Sequence, residues 1–160
     1  MDKIRSLTGM PDLYDDGDMN NMPSKLFEIE RRIKNIFINY SFQEIRTPIL
    51  EDANLFKRSV GSSSDIVNKE IYSFNDRNEK IIAMRPEGTA SVIRSIVEKK
   101  LDHLSHKLWY MGPMWRYERP QKGRYRQFNQ AGMEILGIQE GLPEFEMISV
   151  VCSVIQEFEI

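Results

Sequence analysis

The sequence predicts an α+β fold in which an antiparallel β-sheet is flanked by helices. Three observations lead to this prediction. Apolar residues recur at helical spacing in three segments, short runs of β-type residues lie between these segments, and turn residues separate the later runs into pairs. Neighbouring strands joined by tight turns pair antiparallel, because parallel strands need a longer crossover connection. The predicted order of the main elements is α-β-β-β-α-β-β-α.

Composition limits the classes of function. The 160 residues suffice for one domain with a sizeable core, and 41% hydrophobic with 29% charged residues is ordinary for a soluble globular protein. A net charge of -2 gives no overall attraction to nucleic acid or anionic membranes, so any RNA site would be a local patch. The single Cys152 excludes an internal disulfide framework and fits a cytoplasmic location. No apolar run predicts a membrane span or a signal peptide.

Residues 1–22 are rich in Asp, Asn, Gly and Pro, which favours an extended arm or loop. A loose terminus and a specific packing role are equally open for this stretch. From Ser24 to Tyr40 apolar residues recur at helical spacing and predict an amphipathic helix. A short strand at 42–46 follows, Pro48 is expected at a strand end or edge, and residues 55–59 suggest a short helix before a loop at 61–65.

Residues 70–74 and 80–84 flank an Asn- and Asp-rich turn and predict a β-hairpin. A second helix is expected after residues 85–89. Glu87 and Thr89 lie at its start, where capping and the helix dipole favour a carboxylate and a hydroxyl, so structure alone explains both residues. A last helix is expected from Pro143 onward.

The segment 107–137 differs from an ordinary core hairpin. An aromatic run is joined by a charged loop to a run of strict alternation that begins at Arg126. The alternation puts Phe128, Gln130 and Glu134 on one face of a strand, which is a poor core face and a plausible floor for a binding site. If Arg116 and Glu118 continue that face across the pair, phosphate-binding, ring-stacking and acceptor groups lie together.

Several familiar sites are absent from the sequence. It has no Walker loop, no G-x-G-x-x-G, and only two histidines, His103 and His106, without a Cys or carboxylate cluster, so no metal site is predicted. On residue types alone, the charged hairpin suits a nucleotide with a small cationic metabolite as well as it suits RNA backbone binding or a solvated ion-pair ribbon.

The segment 112–130 followed by Glu134 resembles motif 2 of histidyl-tRNA synthetases, which are class II aminoacyl-tRNA synthetases. Segment 85–90 resembles the amino-acid-binding signature of that family, and residues 24–58 resemble motif 1, the dimer interface. The resemblance covers nearly the whole chain in colinear order. It implies a histidine–tRNA ligase of the cytoplasm, a homodimer through motif 1, which uses ATP with Mg²⁺ to activate histidine and charge tRNA(His).

The resemblance also implies roles for individual residues. The ATP-binding residues would be Arg116 at the α-phosphate, Arg124 at the outer phosphates, Glu118 at the adenine amino group and Phe128 stacked on the adenine. Arg116 would be the catalytic residue. The histidine-binding residues would be Glu87 and Thr89 at the ammonium, Gln130 at the backbone end and Glu134 at the imidazole. Arg119 and Gln121 would face the acceptor end of the tRNA.

The sequence departs from the family pattern in three respects. Thr8 precedes Gly9 where the family usually has arginine, which puts the usual contact of the N-terminal arm in doubt. Asn129 stands where histidine is common and is expected to affect packing more than chemistry. Motif 3, the second catalytic arginine and the anticodon-binding domain are expected outside this chain, so we expect a fragment with little activity alone.

Two alternatives remain at this level. The synthetase-like regulatory subunit of ATP phosphoribosyltransferase shares the fold, but its motif 2 is typically degraded, whereas here the set from Arg116 to Glu134 is intact. A non-catalytic RNA-binding module would use the charged loop and would leave Glu87, Thr89 and Glu134 without a role.

Overall fold

The computed structural model describes residues 3–15, 17, 23–59, 70–138 and 141–160. Four helices and six strands lie in this part of the chain. The helices are α1 (Pro23–Asn39), α2 (Ala53–Ser59), α3 (Thr89–Glu98) and α4 (Leu142–Phe158). The strands are β1 (Gln43–Glu44), β2 (Leu50–Asp52), β3 (Ser73–Asn75), β4 (Ile81–Met84), β5 (His106–Trp115) and β6 (Gln127–Leu136). The predicted α+β class is confirmed.

The chain divides into two compact units. The first comprises the described residues of Met1–Asp12, Thr47–Ser95 and Gly112–Gln130. The second comprises those of Leu13–Arg46, Ile96–Met111 and Ala131–Ile160. The elements α3, β5 and β6 contribute residues to both units.

The strands form two sheets of three, in the orders β1-β5-β6 and β2-β4-β3. The second sheet is antiparallel, with Phe74 opposite Ile82. Its predicted hairpin is confirmed, and the turn is stabilised because Asp76 Oδ1 accepts hydrogen bonds from the N–H groups of Asn78 at 2.7 Å and Lys80 at 2.9 Å. Pro48 precedes the edge strand β2, as expected for a residue that cannot donate to a ladder.

The first sheet is not antiparallel throughout, because β1 pairs with β5 in parallel, with Gln43 opposite Leu108. The sequence prediction considered only strands joined by hairpins. The connection from β1 to β5 contains the whole second sheet and two helices, which is long enough for a parallel crossover. The loop predicted at 61–65 lies outside the described residues.

Each unit has its own apolar core. In the first unit, α2 and α3 cover β4, and Phe56 and Ala83 are fully buried. The N-terminus of α2 is capped by Asp52, whose Oδ1 accepts from the N–H of Asn54 at 2.9 Å.

In the second unit, Phe37 of α1 stacks on Trp109 of β5 with ring centroids 5.6 Å apart, and Val150 of α4 is fully buried against them. Met133 and Ile135 of β6 also pack on this core, and strand alternation places them on the face opposite Phe128 and Gln130.

Candidate functional site

The loop between β5 and β6 (residues 116–126, the hairpin loop) is closed at its base and at its tip. At the base, the N–H of Arg116 donates to the carbonyl oxygen of Arg126 at 2.9 Å. At the tip, Gln121 and Arg124 exchange backbone hydrogen bonds of 3.2 and 2.9 Å around Gly123, which has a positive φ of 77°. The charged loop predicted from the sequence is therefore held by backbone hydrogen bonds at both ends.

Glu118 lies in the hairpin loop two residues after Arg116, and its side chain is only 8% exposed. Its Oε2 accepts a hydrogen bond from Nε of Arg124. Its Oε1 lies 3.9 Å from Nη1 of Arg116. Nε of Arg126 donates to its main-chain oxygen at 3.0 Å. A buried carboxylate therefore carries two guanidinium partners, which offsets the cost of removing its charge from water.

Arg116 connects the hairpin loop with the segment before α3. Its Nε donates to the carbonyl oxygen of Pro86 at 2.9 Å, and its guanidinium carbon lies 5.1 Å from the centroid of the Phe128 ring. The side chain is 28% exposed, so part of it is accessible to solvent. Arg116, Glu118, Arg124 and Phe128, which sequence reasoning placed in one site, are thus brought together within the first unit.

Arg85 forms hydrogen bonds with two backbone segments next to the site. Sequence reasoning did not identify it. Its guanidinium is buried and donates from Nε to the carbonyl oxygen of Pro113 at 3.1 Å and from Nη1 to that of Thr47 at 3.0 Å. Its own carbonyl oxygen accepts from the N–H of Trp115 at 3.0 Å. A side chain on Gly112 would place its Cβ 3.0 Å from Nη2 of Arg85. The only sequence signal was an arginine directly before the Pro-Glu-Gly-Thr run.

Glu87 caps α3. Its Oε2 accepts from the N–H of Thr89 at 2.5 Å and its Oε1 from that of Ala90 at 3.0 Å. The capping role that the sequence analysis offered as a structural explanation for Glu87 is therefore observed. The carboxylate of Glu87 can still accept further hydrogen bonds, because each oxygen has a second lone-pair direction. Thr89 is exposed at the first position of the helix.

Gln130 lies two residues after Phe128 on β6, and both side chains are half-buried, whereas Gln127, Asn129 and Ala131 are exposed. The predicted alternation is therefore visible in the burial pattern, with Asn129 on the other face from Phe128. The Oε1 atom of Gln130 is buried and, within the described part of the chain, has no hydrogen-bond donor. A buried acceptor without a donor is costly, which marks this atom as suited to a ligand.

Glu134 lies four residues further along β6, in the second unit, and is half-buried. Strand alternation gives it the same parity as Gln130. Its placement in a histidine site stays a sequence prediction. Arg119 and Gln121 are exposed in the hairpin loop, where a large partner has access to them.

The N-terminal arm (residues 3–12) contacts the base of the hairpin loop. The carbonyl oxygen of Gly9 accepts hydrogen bonds from the N–H groups of Arg126 at 2.8 Å and Gln127 at 3.1 Å. A backbone atom makes this contact, so it does not depend on the residue at position 8, where the exposed Thr8 departs from the family pattern.

The described residues were compared with the requirements of a metal site and of a membrane-spanning helix. No three His, Cys, Asp or Glu side chains among them are grouped so that they could hold a metal ion. None of the described helices combines the length and the hydropathy needed to cross a bilayer.

Comparison with known proteins gives one consistent result. The family model of histidyl-tRNA synthetase matches residues 21–160. A histidine–tRNA ligase of Legionella pneumophila (strain Lens) is 49% identical over 151 residues, which cover 94% of this chain and 34% of the relative. One from Geobacter sulfurreducens is 53% identical over 127 residues, which cover 78% of this chain and 30% of the relative.

A solved structure agrees with these relatives. The crystal structure of apo S. aureus histidyl-tRNA synthetase has a TM-score of 0.78 to this chain at 33% sequence identity, covering 98% of this chain and 35% of that one. The chain thus spans about a third of the length of the curated relatives it matches, 34% in the Legionella protein.

Proposed function

The chain belongs to the histidyl-tRNA synthetase family, and we propose that it forms the ATP- and histidine-binding part of a histidine–tRNA ligase. One observation carries the proposal. Arg116, Glu118 and Phe128 lie together, with Arg116 bound to the carbonyl oxygen of Pro86 next to Glu87. This arrangement supports a site in which cationic groups would bind phosphates, a ring would stack on a base and a carboxylate would bind an ammonium.

In the proposed reaction, a carboxylate oxygen of histidine attacks the α-phosphorus of ATP. A new bond forms between that oxygen and phosphorus, and the bond to the oxygen that bridges the α- and β-phosphates breaks, so that pyrophosphate leaves. The guanidinium of Arg116 would neutralise the charge that develops on the α-phosphate oxygens. The terminal hydroxyl of tRNA(His) would then attack the histidyl carbonyl, and AMP would leave.

The proposed ATP contacts are supported by the geometry of the hairpin loop. The ring of Phe128 is half-buried and offers a surface for adenine, and the carboxylate of Glu118 would accept from the adenine amino group. Arg124, which is 55% exposed, is free to turn toward the outer phosphates once it leaves Glu118. Magnesium would arrive with ATP, since this ion is usually held by substrate phosphates with one or two carboxylates.

The histidine contacts are proposed from Glu87, Thr89 and Gln130 of the first unit. The ammonium would use the remaining lone pairs of Glu87, and the buried Oε1 of Gln130 would receive a donor from the backbone end of the amino acid. Glu134 is assigned to the imidazole from the sequence. A carboxylate that a non-histidine ligand leaves unpaired would give selectivity.

Further partners are proposed from exposed surfaces. Arg119 and Gln121 would meet the acceptor end of the tRNA. Residues 24–58 would act as motif 1 and form a homodimer, in which the exposed Phe27 and Ile38 of α1 would become buried. We propose a cytoplasmic location for the assembly. The names of the relatives favour a ligase over the regulatory subunit of ATP phosphoribosyltransferase.

Isothermal titration calorimetry of this chain with ATP, histidine and histidinol tests the proposal. We expect the parent chain to bind both ATP and histidine. Arg116→Gln should weaken ATP binding at least tenfold, because Gln cannot supply a charged donor pair to the α-phosphate. The control is Arg46→Gln, since Arg46 is 82% exposed and pairs with Glu44. An RNA-binding module would give no heat with histidine, and that result would refute the proposal.

A further inference from the structure

We propose that Gly9 is a positioning residue of the ATP site. Through its contact with Arg126, Gly9 holds the hairpin loop in the geometry that binds ATP. The inference rests on the proposed function, since it assigns Arg116 and Glu118 to ATP. Gly9 itself touches no proposed ligand. It acts through a chain of contacts from the N-terminal arm to these two side chains, all within the first unit.

The first step is the docking of the arm. The N–H of Met10 donates to the carbonyl oxygen of Leu7 at 3.0 Å and closes a turn around residues 8 and 9. The turn presents the carbonyl oxygen of Gly9 to two successive N–H groups, those of Arg126 at 2.8 Å and Gln127 at 3.1 Å. These residues stand where the hairpin loop ends and β6 begins.

This docking requires glycine for two reasons. Gly9 has a φ of +75°, which L-residues with a side chain rarely adopt. A Cβ at this position would lie 2.9 Å from Cγ and 3.1 Å from the backbone nitrogen of Arg126. The backbones approach so closely that a side chain would push the arm and Arg126 apart.

The second step runs from Arg126 to the proposed ATP residues. The carbonyl oxygen of Arg126 accepts from the N–H of Arg116, and its Nε donates to the main-chain oxygen of Glu118 at 3.0 Å. Its guanidinium also lies 4.0 Å from the centroid of the Tyr117 ring. One residue therefore contacts three successive residues on the opposite side of the loop. A shift of Arg126 would move the backbone of both Arg116 and Glu118.

The arm contributes little to the apolar core. Ile4 is 101% exposed and Leu7 is 70% exposed, so neither apolar side chain is removed from water to any large extent. An arm that served only to stabilise the fold would be expected to bury such residues. The backbone contacts of Gly9 instead act on the loop that carries the proposed ligand contacts.

The test compares Gly9→Ala with Gly17→Ala. Gly17 also has a positive φ, of +89°, but a Cβ there would meet no heavy atom of the described residues within 4 Å. Both variants carry the backbone strain of alanine at positive φ, and only Gly9→Ala adds the clash with Arg126. ATP and histidine affinities are measured by calorimetry, and amide hydrogen exchange is followed at Arg126 and Gln127.

We expect Gly9→Ala to weaken ATP binding about tenfold, to change histidine binding less than twofold, and to speed exchange at Arg126 and Gln127. Gly17→Ala should leave all three within twofold of the parent. Unchanged ATP affinity in Gly9→Ala would overturn the positioning role. Equal losses of ATP and histidine affinity, with a lowered unfolding temperature, would also overturn it, because they indicate general destabilisation. A parent chain that binds no ATP would instead reject the proposed function and the inference together.

Discussion

Nε of Arg124 donates a hydrogen bond to the carboxylate of Glu118, so two side chains assigned to opposite ends of ATP are bound to each other. The other oxygen of the same carboxylate lies 3.9 Å from Nη1 of Arg116. Glu118 is therefore the counter-ion of both arginines assigned to phosphate. If ATP binds as proposed, its phosphates take over this role and free the carboxylate for the adenine amino group.

Glu118→Gln should separate the role of Glu118 as counter-ion of the two arginines from its proposed role as acceptor for the adenine amino group. Loss of the charge leaves Arg116 and Arg124 without their counter-ion, so the affinity for inorganic tripolyphosphate should rise about threefold to tenfold. The affinity for adenosine should fall, because the amide is a weaker acceptor than the carboxylate. Calorimetric titrations with the two compounds measure both changes.

Glu28→Gln is the matched control for that variant. Glu28 accepts from Arg31 at 2.7 Å and from Arg32 at 3.0 Å, on α1 in the second unit, so its replacement also removes a carboxylate paired with two arginines. It should change neither affinity. If tripolyphosphate bound less tightly to Glu118→Gln than to the parent, Glu118 would not be the competing anion.

Glu87→Gln should distinguish the cap of α3 from the proposed ammonium site. The amide oxygen of Gln still accepts from one backbone N–H, so the free energy of unfolding should fall by less than about 1 kcal/mol. Histidine affinity should fall at least tenfold, because the charge opposite the ammonium is lost. Chemical denaturation and calorimetry measure the two quantities. Loss of stability with histidine affinity retained would show that Glu87 is a helix cap alone.

Gly132→Ala should destabilise the second unit through a clash with Tyr110. A Cβ at position 132 would overlap both Cζ and the hydroxyl oxygen of Tyr110. We expect a loss of about 1–3 kcal/mol in the free energy of unfolding, typical of overpacking. The double variant Gly132→Ala with Tyr110→Ala should be more stable than the sum of the single changes implies. Additive losses in this double-mutant cycle would contradict the clash.

The carboxylate of Asp52 should make stability depend on pH in the acid range. The N–H of Asn54 and then the Lys80 ammonium, at 3.2 Å, lower the pKa of Asp52 below its ordinary value. A lowered pKa in the folded state means a contribution that is complete above the ordinary value of about 3.9 and is lost as pH falls through the folded pKa.

Asp52→Asn tests this contribution. Asparagine also caps helices well, so the variant should keep the cap of α2 and lose only the charge. The stability difference from the parent should be at most about 1 kcal/mol at pH 7, since the pair is exposed, and should be lost as pH falls through the lowered pKa of Asp52. Urea denaturation across this range measures it. A difference that stayed constant with pH would show that the charge of Asp52 is not involved.

Local patterns were sufficient to predict most elements. The helix predicted from Ser24 to Tyr40 is α1, and the alternation after Arg126 appears in β6 as half-buried Phe128 and Gln130 between exposed neighbours. These predictions succeed because the periods of a helix and a strand are set by backbone geometry, which is the same in every protein. The co-location of Arg116, Glu118, Arg124 and Phe128 was also predicted, because a hairpin brings residues near its loop together.

Contacts between distant parts of the chain could not be predicted in this way. Three such contacts are the parallel pairing of β1 with β5, the hydrogen bond from Arg85 to Pro113 and the docking of Gly9 on Arg126. They join residues that are from 28 to more than a hundred positions apart in the sequence. No local pattern encodes such contacts, since they depend on the backbone groups that folding leaves to be satisfied. The sequence by itself determined the elements and the residue types of the site. The tertiary structure decided which backbone groups hold them, because those partners are chosen only when distant segments meet.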